Sequence, residues 1–182
     1  PLTGLPGNHR IEDELADRVV RAEPFAVLYL DLDNFKSFND CYGFLRGDEV
    51  IMLLATAARR AALEVGEPSP FIGHIGGDDF VVVCLPEQAE PIAKRVVEVF
   101  DNAAPRLHDP VDAERGYLEV TDRQGSVRRF PVVSVSIGIA LTGARMFTDK
   151  REVVDVATEM KKVAKTQVGS SIAIDRRTGD GR

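Results

Sequence analysis

The chain has 182 residues, enough for one domain with a sizeable core. With 44% hydrophobic and 29% charged residues it is globular, not disordered. A formal charge of −6 argues against a protein that coats nucleic acid, so no nucleic-acid partner is expected and phosphates would be met through a metal and a few local lysines.

Leu2 to Asn8 is rich in turn formers, and Asn8 is placed to cap a helix in which Ile11, Leu15 and Val19 recur at helical spacing, with acids near its start. Phe25 to Leu30 is an unbroken apolar run of strand length, the pattern of a central strand buried on both faces, ending at Asp31-Leu-Asp33. Phe35, Phe38 and Tyr42 suit a short helix. A long helix follows from Arg46-Gly47-Asp48, with Val50, Leu53, Leu54, Ala57 and Ala61 as its buried stripe. Phe71 to Cys84 reads as a β-hairpin turning on Gly76-Gly77, because glycine reaches the positive φ that tight turns need. Glu87 to Ala103 is a third long helix with Ile92, Val96 and Phe100 inward, and Arg106 to Glu114 is expected to be irregular.

Residues near 116–131 form a second hairpin, with Tyr117 to Thr121 and Ser126 to Phe130 flanking a turn at Asp122-Arg-Gln-Gly125. Val132 to Leu141 is a further strand. Lys150 to Lys165 is the last helix, with Val153, Val156, Ala157, Met160 and either Val163 or Ala164 on one face. Ser171 to Ile174 closes the pattern as a short strand, and the polar tail from Asp175 to Arg182 is expected to fray. The order predicts an α+β fold: one domain over residues 1–182, with a ferredoxin-like βαββαβ core, a mixed central sheet with helices packed on it, and the extra hairpin. No apolar run approaches the roughly 18 residues of a membrane span, and no signal peptide is visible. Cys41 and Cys84 are expected to be reduced thiols, which suits the cytoplasm. The opening at Pro1-Leu-Thr-Gly suggests a piece of a longer protein, whose N-terminal regulatory domain lies outside this chain and which a membrane can anchor elsewhere.

The chemistry concentrates at the acids. Asp78 and Asp79 sit side by side in the first hairpin, and adjacent carboxylates repel unless a cation lies beside them. A solvated acidic turn and a metal site both answer that pattern. If the Phe25–Leu30 strand pairs with the hairpin, Asp31, Asp78 and Asp79 gather at one edge of the sheet with Asp33 close by. Three carboxylates with no apparent protein cation would then suit Mg²⁺ and phosphoryl or nucleotidyl transfer. Lys36 and Lys165 are placed to hold phosphates, although a lysine ending a helix also simply complements its dipole. Asn39 and Asp48 carry the groups that read a guanine edge, a carboxylate for its N1 and N2 hydrogens and an amide for O6 or N7. Their plain readings are a helix-end residue and a first-turn acid.

Leu2-Thr-Gly-Leu-Pro6, Asp31-Leu-Asp-Asn-Phe-Lys36 with Asn39-Asp40, Tyr42-Gly43, Gly47-Asp48-Glu49, Gly76-Gly-Asp-Asp-Phe80, Val135-Ser-Ile-Gly-Ile139 and Ala164-Lys165 occur together and in order. In these the chain resembles a GGDEF domain, the catalytic domain of diguanylate cyclases, over nearly its whole length. The resemblance implies a palm-type fold and condensation of two GTP into cyclic di-GMP with release of pyrophosphate. It implies Asp31, the Leu32 carbonyl and Asp78 as metal ligands, with Asp79 beside the metal and the attacking 3′-hydroxyl, and Mg²⁺, or Mn²⁺, as the ion. It implies Asn39 and Asp48 as guanine readers, Lys36 and Lys165 as phosphate contacts, and Phe35, Gly76 and Gly77 lining the substrate. It also implies a homodimer, since each domain would bring one GTP.

Departures qualify this. Asp79 stands where glutamate is usual, its arm shorter by one methylene, about 1.5 Å. His74 stands where arginine is common and Phe44 where histidine is. Gly169-Ser170-Ser171 occupies the stretch of a usual arginine, and the Arg-x-x-Asp product-inhibition motif would fall on Glu67 and Pro70, so no such site is expected. The alternative is a GGDEF domain without useful turnover that binds GTP and regulates a neighbouring domain. A cyclase for a different nucleotide pair is disfavoured, because Asp48 suits guanine.

Overall fold

In a computed structural model, residues 2–121, 125–142, 147 and 149–177 are described. The elements run α1 (Asn8–Arg21), β1 (Ala26–Asp33), α2 (Phe35–Tyr42), α3 (Phe44–Val65), β2 (Phe71–Gly76), β3 (Asp79–Cys84), α4 (Pro86–Ala103), α5 (Pro110–Arg115), β4 (Tyr117–Thr121), β5 (Val127–Pro131), β6 (Ser134–Leu141), α6 (Lys150–Ala164) and β7 (Ser171–Ile174). Five strands form one mixed sheet in the order β2-β3-β1-β6-β7. β1 is central and antiparallel to both neighbours, while β6 and β7 are parallel. This is the expected α+β architecture.

The alternation of side chains along a strand divides the interior in two. Ala26, Leu28, Leu30 and Leu32 of β1 point to one face and join Val50, Leu54, Ala58, Ile92, Val96 and Phe100 of α3 and α4 in the larger core. Val27, with Tyr29 packed against it, points to the other face and meets Ile11 and Leu15 of α1 and Val153, Val156 and Ala157 of α6. Each fully buried apolar side chain of this size contributes about 1.5–3 kcal/mol relative to its exposed state. The outer hairpin is pinned to the larger core by Leu118, which is fully buried.

Several expectations change. Asn8 is the first helical residue of α1 and Gly7 holds the cap position without a side-chain bond, and no acid lies in the first turn. Arg106 to Glu114 is not irregular: a 3₁₀ turn at Ala104–Leu107 leads into α5, which Pro110 opens and Gly116 (φ 78°) closes. The strand expected from Val132 begins at Ser134 instead, as β6. Of the two candidates on α6, Ala164 is buried and Val163 is exposed. Asp175 does not fray: it is buried, its backbone N–H donates to Ile139 O at 2.8 Å, and its carboxylate accepts from Arg177. The rest of that tail, 178–182, and the hairpin turn at 122–124 lie outside the described residues. Cys41 is exposed and Cys84 buried, neither in a disulfide. Among the described residues no helix is long and apolar enough to cross a membrane.

Candidate active site

The parity of β1 decides where its acids go. Asp31 and Asp33 share a face with Val27 and Tyr29, so they point toward α6 and away from the larger core. The β1–β3 register sets Asp31 directly opposite Asp79. On its other edge β3 pairs with β2, where a bulge between His74 and Gly76 accommodates an extra residue before the turn. The turn itself is Gly77 and Asp78, with Gly77 at φ +57°, a conformation glycine reaches without strain.

Helix α6 closes over this corner. It can do so because residue 138 of β6 is glycine: a Cβ there would lie 2.1 Å from both Ala157 O and Lys161 N. The close approach delivers two lysines, one turn apart. Lys161 Nζ is 2.7 Å from Asp31 Oδ2 and 3.2 Å from Asp79 Oδ1, and sits 4.2 Å from the centre of the Tyr29 ring. Lys165 Nζ pairs with Asp31 Oδ1 and lies 3.6 Å from Asp33 Oδ1. The Asp31 side chain is 9% exposed and that of Lys161 13%. The expectation of carboxylates without a protein cation is therefore corrected: Lys161, which sequence reasoning missed, stands between two of them. The signal was present. Lys161 precedes Lys165 by four residues, so both lie on one face of α6.

Asp33 is held by its own set of donors, Ser134 Oγ at 3.0 Å and Ser136 Oγ at 2.9 Å. Burial pushes its carboxyl up, against the pull of the two hydroxyls and Lys165. Burial likewise raises Asp79, with Lys161 opposing. For Lys161, burial alone would favour the neutral amine, but the bond and charge of Asp31, then Asp79, outweigh it and raise the ammonium above its usual range.

The remaining predicted residues are distributed around this corner. Asp78 is half-buried in the turn, and no hydrogen bond or ion pair joins its side chain to another described residue. Leu32 buries its side chain in the larger core and pairs with Val135 across β6. Asn34, in the left-handed conformation, turns the chain sharply from β1 into α2. That turn leaves Phe35 packed against the core and Lys36 exposed. Asn39 near the end of α2 faces the first turns of α3. A Cβ on Gly47 would lie 1.8 Å from Asn39 Oδ1, so the glycine lets Asn39 sit beside the backbone that carries Asp48. Asn39 Oδ1 is buried and takes no hydrogen bond, an amide oxygen left to be satisfied. Gly76 and Gly77 border open space. Phe44 is exposed at the start of α3. Ser170 Oγ donates to Asp101 at 2.5 Å and Ser171 Oγ to Ala164 O at 2.8 Å, so both hydroxyls tie down the loop before β7.

Among the described residues no three acids, histidines or cysteines stand close enough together to hold a metal by themselves. Asp31 and Asp79 nevertheless converge on one cation, the Lys161 ammonium. Two carboxylates that chelate a point charge fit a hard divalent ion whose other positions are taken by water and phosphate oxygens.

Three comparisons with known proteins bear on this geometry. A family model described as "Diguanylate cyclase, GGDEF domain" matches residues 1–170. Diguanylate cyclase DgcZ of Escherichia coli is 27% identical over 155 residues, 82% of this chain and 49% of DgcZ. An uncharacterized signaling protein of Caulobacter vibrioides is 41% identical over 124 residues, 63% of this chain and 15% of that protein. The chain thus spans half or less of these relatives' lengths. The solved GGDEF domain of TpbB from Pseudomonas aeruginosa superposes with a TM-score of 0.66 at 25% identity, covering 95% of this chain and 91% of that one.

Proposed function

Because the chain belongs to the GGDEF domain family, we propose that it is a diguanylate cyclase, joining two GTP molecules into cyclic di-GMP. The observation that carries the reading is the meeting of Asp31 and Asp79 at one cation-holding point, with Lys165 beside them.

In each half-reaction the 3′-hydroxyl oxygen of one GTP attacks the α-phosphorus of the other. One oxygen–phosphorus bond forms, the bond to the β-phosphate oxygen breaks, pyrophosphate leaves and a proton is freed. Asp31 and Asp79, with the Leu32 carbonyl and Asp78 at hand, would hold a divalent ion, magnesium or manganese, which when bound supplies positive charge for the phosphates. Asp48 accepts from guanine N1 and N2, and Asn39 presents its amide to the same base. Lys165 and Lys36 neutralise the triphosphate. Phe35, Gly76 and Gly77 border the space for the nucleotide. Two such sites must face each other, so turnover requires a dimer.

One observation favours a second reading, a GTP-binding regulatory domain without turnover: Lys161 already occupies the place between Asp31 and Asp79. The two are separated by incubating the chain with GTP and Mg²⁺ and assaying cyclic di-GMP. Product that disappears in Asp31→Ala is expected. GTP binding without product would select the regulatory reading, and absence of GTP binding would refute both.

A further inference from the structure

The position of Lys161 bears on how the acidic pair takes up its metal. A lysine near a surface ordinarily runs its stem along apolar groups and leaves the ammonium in water. Lys161 is turned inward instead, its backbone pressed against Gly138 and its ammonium closed in by Asp31, Asp79 and the face of Tyr29. The arrangement has an electrostatic cause. Asp31 and Asp79 are direct cross-strand partners, and like charges so placed destabilise a sheet. The ammonium between them removes that repulsion. A divalent ion held by the same two carboxylates would compete with the ammonium for their oxygens. It would fill the space Lys161 Nζ now holds at 2.7 and 3.2 Å.

We infer that Lys161 is the resident counter-ion of the acidic pair and is exchanged for a divalent ion when the ion arrives with a nucleotide triphosphate. The inference rests on the reading of Asp31 and Asp79 as the metal-holding pair and deepens it. A bare ion meets a pair that is already neutralised and gains little by displacing the ammonium. An ion carried by a triphosphate brings the exchange partner with it, because phosphate oxygens replace the carboxylates that Lys161 gives up. Lys161 lies one turn from Lys165 on the same face of α6, so the released ammonium works beside Lys165 as a phosphate contact.

The test is titration with Mn²⁺ alone, without nucleotide, following free Mn²⁺ by electron paramagnetic resonance. Lys161→Met keeps the stem and removes the charge, and Lys162→Met, at an exposed neighbour, is the control. An opposite charge at this range shifts proton binding to a carboxylate by one to three pKa units, so Lys161→Met is expected to bind Mn²⁺ at least about tenfold more tightly than the native chain. Lys162→Met is expected to match the native chain. An unchanged or weaker affinity in Lys161→Met overturns the inference. Should Lys161→Met not fold, the lysine ammonium signals of the native chain are followed by NMR. The Lys161 signal is expected to move when Mg²⁺ and a non-hydrolysable GTP analogue are added, and a signal that stays in place at nucleotide saturation overturns the exchange. The titration does not read turnover. Cyclic di-GMP formation with unchanged Lys161→Met affinity removes this inference alone, while no Mn²⁺ binding in any variant removes the metal assignment as well.

Discussion

Gly138 shows how one small residue governs the corner. Its hydrogen lies where any side chain would strike the α6 backbone, so it sets the distance at which Lys161 and Lys165 meet β1. Gly138→Ala forces α6 outward. Overpacking of this kind is expected to cost about 3 kcal/mol, measured by urea denaturation, and to separate Lys161 from Asp31. A loss below about 0.5 kcal/mol would show that the helix yields freely. At this scale the sequence was legible in its acids and glycines and less so in its lysines. Asp31 and Asp79 stand out because acids at a strand end and beside a hairpin turn call for a cation, whereas Asn39 and Asp48 have plain helix readings that only the family resemblance overrides. Lys161 does not stand out, because a lysine beside the apolar stripe of an amphipathic helix is ordinary, and only contact with a strand end gives it a partner. The pairing of Asp31 with Asp79, and not with Asp78, depends on the register of β1 against β3, which no local pattern announces.

Among the elements, β1 was legible because a strand buried on both faces must be apolar throughout, and the long helices because their apolar stripes are regular. Helix α5 was missed, being only six residues with Val111 exposed and Asp112 buried, the reverse of an amphipathic pattern, although Pro110 at its start and Gly116 at its end marked both limits. It is held by an unusual cluster. Tyr42 donates its hydroxyl to Asp112, which Arg115 also pairs at 2.6 Å, and His108 lies edge-on to Phe38 and Tyr42. The His108 ring has a fixed tautomer: a carbonyl oxygen can only accept, so Nδ1–H donates to Ala104 O at 3.0 Å, and Nε2 accepts from Val133 N–H at 3.3 Å. Burial, chiefly, lowers its pKa. A lowered value means that the unfolded chain takes the proton more readily. The contribution of the neutral ring is therefore complete above the ordinary value of about 6.5 and is lost as the pH falls through the folded value. Melting temperature measured from pH 7.5 to pH 5 should fall more steeply for the native chain than for His108→Gln. Parallel curves would remove His108 from the account.

For the whole molecule, the mixed sheet with helices packed on it was predictable from the order of apolar runs. The division of the interior into two cores was not stated by that order, yet it is what sends the acids of β1 toward α6. The proposed reaction has a molecular consequence of its own. One chain brings one acidic corner, and the substrate is two nucleotides, so cyclic di-GMP formed per chain should rise with chain concentration until the dimer saturates, as measured over a dilution series. A rate per chain that is constant on dilution would show either a permanent dimer, visible by sedimentation, or a reaction that one chain completes alone.

The signature turn is also wired to the segment that leads into α1. Thr3 hydroxyl meets His74 Nδ1 at 3.1 Å, His74 Nε2 reaches Gly77 O at 3.0 Å, and the same ring lies flat on Phe80. Arg59 holds Thr3 O, and Pro6 O receives His74 N–H, so that segment cannot shift as a loose thread. A displacement of Thr3 would therefore reach Gly77 through one imidazole, so the segment before α1 and the turn that carries Asp78 are coupled by a single side chain.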